Sequence, residues 1–86
     1  MIYKVLIDAT RALNALKKMG VQESVKKENF FFVEAENPDG ACHAAIEKLE
    51  DKILQEKIND EVVDFLEDEL IHFIKITELM KIRPYA

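Results

Sequence analysis

The sequence predicts an α+β fold in which helices pack on one face of an antiparallel sheet, and three observations support this prediction. Strand-like apolar patterns occur over residues 2–8, 30–36 and 71–82. Between these stretches, apolar residues recur every three or four positions, which is typical of amphipathic helices. The chain has 86 residues, of which 49% are hydrophobic and only two are glycine. We therefore expect one compact domain over residues 1–86.

The first strand and helix have clear boundary signals. Residues 2–8 alternate between two faces, and Asp8 is a suitable N-cap for a helix over residues 9–19. Gly20 follows that helix. Because glycine adopts the left-handed conformation without strain, Gly20 predicts the end of the helix.

A hairpin is predicted next, with a weak first strand. Residues 21–26 alternate only weakly, and the polar residues 27–29 can turn the chain back into the apolar strand over residues 30–36. An alternative interpretation omits the weak strand.

Two further helices and a last strand complete the prediction. Asn37 is a favoured N-cap, and Pro38 suits the first helical position because it lacks an N–H that would be unpaired there. Asn59 starts a third helix. The last strand is predicted over residues 71–82, which have period two in their first half. A bulge or bend is expected at residues 79–80, where the alternation is interrupted.

The predicted order of elements is β-α-β-β-α-α-β. With right-handed crossovers, this order gives a four-stranded antiparallel sheet of ferredoxin-like topology, with the strand order 4-1-3-2 and the helices on one face. Strands 1 and 3 are expected to be central with or without the weak second strand.

Because side chains alternate between the two faces of a strand, the sequence predicts an unusually apolar surface on the sheet face that the helices leave uncovered. A contiguous apolar patch of this kind typically marks an interface. We therefore predict a small non-enzymatic binding or regulatory module that forms a homodimer, or docks a protein partner, through this face. The residues expected to make the contact are Leu6, Phe30, Phe32 and Phe73, with Lys4 and Lys75 at the rim.

One segment suggests a different partner. Residues 28–35, Glu-Asn-Phe-Phe-Phe-Val-Glu-Ala, and the following residues 36–41 resemble the third strand and next helix of an RNA-recognition motif. In that family, aromatic side chains at the positions of Phe30 and Phe32 stack on bases, so the resemblance implies binding of RNA or single-stranded DNA. Asn29 stands where the family has a glycine, and Glu28 stands where it has a basic residue.

A third hypothesis rests on charge. The chain carries a net charge of −5, and residues 28–70 contain fourteen acidic residues against three lysines. A row of carboxylates on the third helix can dock a basic protein or imitate nucleic acid. The residues predicted for this acidic docking surface are Asp60, Asp64, Glu67 and Asp68.

Catalytic and metal-binding patterns are absent from the sequence. His43 and His72 have neither metal-ligand nor triad spacing, and no glycine-rich phosphate loop is present. The single cysteine, Cys42, is expected to be a small core side chain. We expect no enzyme activity, no cofactor and no membrane span, and we predict a cytoplasmic protein.

Overall fold

A three-stranded antiparallel sheet and three α-helices form the computed structural model, which describes residues 1–21, 26–55 and 59–82. Across the sheet, the strand over residues 2–8 is central, and the strands over residues 28–34 and 75–82 lie on either side of it, both antiparallel to it. The α+β class is confirmed. In chain order the elements are β1 (Ile2–Asp8), α1 (Thr10–Lys18), β2 (Glu28–Glu34), α2 (Pro38–Leu54), α3 (Asp60–Asp68), a 3₁₀ turn (Leu70–His72) and β3 (Lys75–Ile82).

The predicted four-stranded, ferredoxin-like sheet is wrong. Its weak strand was assigned to residues 21–26, of which residues 22–25 lie outside the described part of the chain. Val21 and Lys26, at its two ends, belong to no strand. The reason at Val21 is that its N–H donates to the Leu16 carbonyl at 3.1 Å, so this residue completes the end of α1. Of the two strands expected to be central, only β1 has a strand on each side, since β2 lies at an edge.

Helix α1 begins after an acidic side chain that satisfies one of its free amides. The Asp8 carboxylate accepts a hydrogen bond from the Thr10 N–H at 2.9 Å, one residue earlier than the geometric N-cap, Ala9. This bond holds the pKa of Asp8 below its ordinary value. The prediction that Asp8 is the N-cap is therefore off by one residue, since the N-cap is Ala9, although the Asp8 carboxylate does bond the first amide of the helix.

The end of α1 is a Schellman motif built on Gly20. Gly20 has φ of +89°, and its N–H donates to the Lys17 carbonyl at 3.1 Å. The Val21 N–H reaches back to Leu16, and the Val21 side chain is buried. Because the left-handed conformation strains residues with a Cβ, glycine is the residue expected there.

Helices α2 and α3 both begin at asparagine caps, as predicted. The Asn37 side-chain oxygen accepts from the Gly40 N–H at 2.8 Å, and Pro38 takes the first helical position. The Asn59 side-chain oxygen accepts from the Val62 N–H at 3.0 Å. Each cap satisfies an amide that has no partner inside its helix.

The core lies between one face of the sheet and the helices. The central strand contributes its alternate side chains, and all three helices pack their apolar faces against them. The seven largest fully buried side chains are Val5, Ile7, Leu16, Leu49, Ile53, Val62 and Leu70.

A buried asparagine ties β2 to helix α2. Asn29 is 4% exposed, and its side-chain amide donates to the Lys26 carbonyl at 2.7 Å. The Lys52 Nζ approaches the Asn29 side-chain oxygen at 3.5 Å and lies 5.6 Å from the centroid of the Phe31 ring. Because these contacts and Val33 occupy the helix side of β2, the alternate residues of the strand face the other way.

A bulge in β3 shifts the direction of its later side chains. Leu6 lies opposite Glu78, whereas Ile7 lies opposite Ile76, so Thr77 is the extra residue. The Thr77 hydroxyl donates to the Leu6 carbonyl at 3.4 Å. The bulge was expected at residues 79–80 and instead lies just before them. Beyond the bulge, even-numbered residues of β3 share a face with Leu6.

Candidate interface on the open sheet face

The sheet has a second face that the described helices leave uncovered, and we call it the open face. Its residues follow from the strand register, since side chains that lie opposite each other on paired strands share a face. They form four rows across β2, β1 and β3: Glu34, Ile2 and Ile82; Phe32, Lys4 and Met80; Phe30, Leu6 and Glu78; and Glu28, Asp8 and Lys75.

Several large apolar side chains on the open face are exposed to solvent. Phe30 and Phe32 are 57% and 52% exposed, and Met80 and Ile2 are 50% and 49% exposed. Leu6 is half-buried between Phe30 and β3. Because these side chains occupy adjacent positions in adjacent rows, they form one contiguous patch rather than scattered exposed residues.

The two aromatic rings on the open face pack against each other. Phe30 and Phe32 have ring centroids 5.8 Å apart and an interplanar angle of 85°, which is an edge-to-face arrangement. The Lys4 ammonium lies 5.3 Å from the Phe30 centroid and makes a cation–π contact with that ring. Lys4 therefore leans toward β2, and its position is in the middle of the open face rather than at the predicted rim.

The placement predicted for Phe73 is wrong. Phe73 precedes β3 and packs on the helix side, where its ring centroid is 5.3 Å from that of Phe65. The Arg11 guanidinium lies 5.2 Å from the Phe73 centroid. The 3₁₀ turn delays the start of the strand, so the period-two assignment does not apply at this residue.

Charged residues surround the apolar patch, and most of them are acidic. Lys75 lies at one end of the sheet opposite Asp8, in the same row as Glu28. The open face carries two lysines and four carboxylates, Asp8, Glu28, Glu34 and Glu78. Its formal charge is therefore negative.

Met80 and Ile82 are open-face residues that the sequence analysis missed. The bulge at Thr77 brings both of them to the same side as Leu6. The available signal was the interrupted alternation at residues 79–80, which predicted an irregularity but not its register. Ile2, by contrast, follows directly from the unbroken alternation of β1.

The acidic residues predicted for docking lie on α3, which belongs to the helix layer rather than to the sheet. Asp60, Asp64, Glu67 and Asp68 are all exposed. Partial burial raises the pKa of Glu50 on α2, and the nearby Glu47, Asp51 and Glu67 carboxylates add to this effect. The Glu67 carboxylate on α3 thus lies close enough to Glu50 on α2 to affect its pKa.

The described residues offer no metal centre and no membrane-spanning helix. Within residues 1–21, 26–55 and 59–82, no three His, Cys, Asp or Glu side chains are grouped to hold a metal ion. None of the helices in these ranges is long and apolar enough to cross a bilayer. The Cys42 thiol is half-buried rather than fully in the core. No protein-family model, curated protein or solved structure matches the chain.

Proposed function

We propose that this protein is a small non-enzymatic binding module that forms a homodimer by packing the open faces of two copies together. The observation that carries the proposal is the contiguous apolar patch that Phe30, Phe32, Met80, Ile2 and Leu6 form around the Lys4 side chain. A face of this composition is normally covered in a soluble protein, because water contact with adjacent large apolar side chains is unfavourable.

The exposed area is large enough to drive association. A phenylalanine presents about 200 Å², so the exposed halves of Phe30 and Phe32 amount to roughly 200 Å² per copy. Covering them in both copies contributes about 10 kcal/mol at 25 cal/mol per Å². Association costs about 4–15 kcal/mol in lost freedom. The two rings therefore offset most of that cost, and Met80, Ile2 and Leu6 add to the affinity.

The charges of the open face favour a protein surface over nucleic acid. Nucleic-acid binding is driven mainly by Lys and Arg contacts to phosphates, whereas this face has four carboxylates and two lysines. Base stacking also needs an accessible ring face, and Lys4 and Phe32 both lie against Phe30. The RNA-binding function that the resemblance implies is therefore the weaker of the two hypotheses.

The acidic surface on α3 is a separate hypothesis. Its support is the row of four exposed carboxylates on one helix, which favours a basic protein partner. This surface does not overlap the open face, so docking there is compatible with a dimer.

A dilution series followed by amide NMR tests the proposed function. We expect concentration-dependent shifts confined to open-face residues of the three strands, because these leave the interface when the dimer dissociates. Addition of single-stranded oligonucleotides at low salt should leave the spectrum unchanged. Shifts that depend on oligonucleotide but not on protein concentration would instead support nucleic-acid binding and contradict the homodimer.

A further inference from the structure

Four side chains at the centre of the open face form a block with a distinctive charge pattern. On the paired strands β1 and β3, Lys4 lies opposite Met80, and Leu6 lies opposite Glu78. Two diagonal corners of the block are therefore apolar, and the other two carry opposite charges. Adjacent strands are about 4.8 Å apart and alternate residues about 6.7 Å apart, so the block is a rectangle whose long side follows the strands.

Lys4 and Glu78, the two charged residues of this block, do not form an ion pair within one copy. The Lys4 ammonium leans away from β3, over the Phe30 ring. Glu78 is half-buried, and no ion pair joins it to another residue in the described part of the chain. Neither charged group therefore has an oppositely charged partner among the described residues of its own copy.

A two-fold dimer can satisfy both charges at once in one orientation. From this pattern, and resting on the proposed dimer, we infer that the two-fold axis runs along the Leu6–Met80 diagonal, so that Lys4 of each copy pairs with Glu78 of the other. A two-fold contact places the same surface on both sides, so each such pair occurs twice. Leu6 then faces Leu6, and Met80 faces Met80, at the dry centre of the interface.

The other simple orientations are less complementary. An axis along β1 places Lys4 against Lys4, and like charges that face each other disfavour that contact. An axis across the strands places Lys4 against Leu6 and Glu78 against Met80, which leaves both charges unpaired and desolvated. The diagonal axis makes the strands of the two copies cross at roughly 70°, which is close to the orthogonal class of sheet packing.

A charge swap tests the inference by sedimentation velocity on the full chain. Lys4→Glu and Glu78→Lys should each raise the dissociation constant at least tenfold, because each places two pairs of like charges in contact. The double variant Lys4→Glu/Glu78→Lys should return to within about threefold of the native value. Lys81→Glu is the matched control: Lys81 lies opposite Tyr3 on the helix side of the sheet, and the same charge change there should have little effect.

The results distinguish an error in the Lys4–Glu78 pairing from an error in the proposed dimer. If the native chain dimerises but the double variant is as weak as the single variants, the Lys4–Glu78 pairing is wrong and the proposed dimer stands. A native chain that stays monomeric at high concentration contradicts both. Circular dichroism checks that each variant is folded. Salt dependence of the native dimer gives a second test without substitutions: charge pairing predicts weaker association as NaCl rises, and a constant or stronger association contradicts it.

Discussion

Phe32→Glu is the substitution that most directly tests the open face. Phe32 is 52% exposed in the single copy and lies in the same row as Lys4 and Met80. Its ring makes no part of the buried core, so the fold of one copy should tolerate the change. A strand position on a surface is sensitive to residue type by up to about 1 kcal/mol, which sets the expected loss in monomer stability.

The expected loss of association is much larger than this. About half of a phenylalanine surface of roughly 200 Å² is available for burial, which gives about 2.5 kcal/mol per copy. A two-fold interface contains the residue twice, so the total is about 5 kcal/mol. Since 1.4 kcal/mol corresponds to a factor of ten, the dissociation constant should rise by roughly three to four orders of magnitude. The carboxylate introduced at a desolvated position adds to the effect.

Sedimentation equilibrium over a wide concentration range measures this change. The matched control is Ile71→Glu, because Ile71 is 57% exposed but lies in the 3₁₀ turn outside the open face. We expect the Ile71 variant to dimerise like the native chain. Equal affinities for the native chain and a folded Phe32→Glu variant would show that the open face is not the interface and would refute the area argument.

The remaining predictions concern stability and pH. Gly20→Ala should lower the free energy of unfolding, measured in urea titrations, by about 1–2 kcal/mol, because alanine is strained at positive φ although no atom lies within 4 Å of the added Cβ. Gly20→Asn should lower the free energy of unfolding by less. Equal stability of the native chain and the alanine variant would contradict the positive φ of Gly20. Asn59→Ala should cost about 1 kcal/mol, whereas Asn59→Asp should remain near native, because aspartate also accepts the bond from the helix amide. Glu50→Gln should raise the melting temperature at pH 7: folding raises the pKa of Glu50 above 4.5, so native stability falls as pH rises through that range, and the advantage of Gln should disappear at lower pH. An advantage that does not change with pH would contradict this origin.

The ends of the helices and the two faces of β2 could be predicted from the sequence. The caps at Asn37 and Asn59 and the stop at Gly20 depend on local hydrogen bonds and backbone preferences, which a few neighbouring residues determine. The division of β2 into two faces depends only on its period, so the outward positions of Phe30 and Phe32 followed without knowledge of the tertiary structure.

The errors arose where tertiary contacts set the outcome. Val21 is a residue type that favours strands, but its backbone N–H bonds the Leu16 carbonyl at the end of α1. Phe73 fits the alternation of the last strand, yet its ring is more favourably buried against Phe65. The position of the bulge depends on how β3 pairs with β1, so the sequence of β3 alone does not place Met80 on the open face.

The three consecutive phenylalanines in the middle of β2 do not determine which of its faces packs on the core. The residues at its two ends must therefore set the register of the strand. A slip by one residue would still present aromatic rings on both sides. It would also turn Glu28 and Glu34 toward the core, where burial of an ionised carboxylate is strongly unfavourable. The charged residues at the two ends of β2, Glu28 and Glu34, therefore determine its register against β1. Substitution of Phe30 or Phe32 should therefore leave the alignment of the strand unchanged.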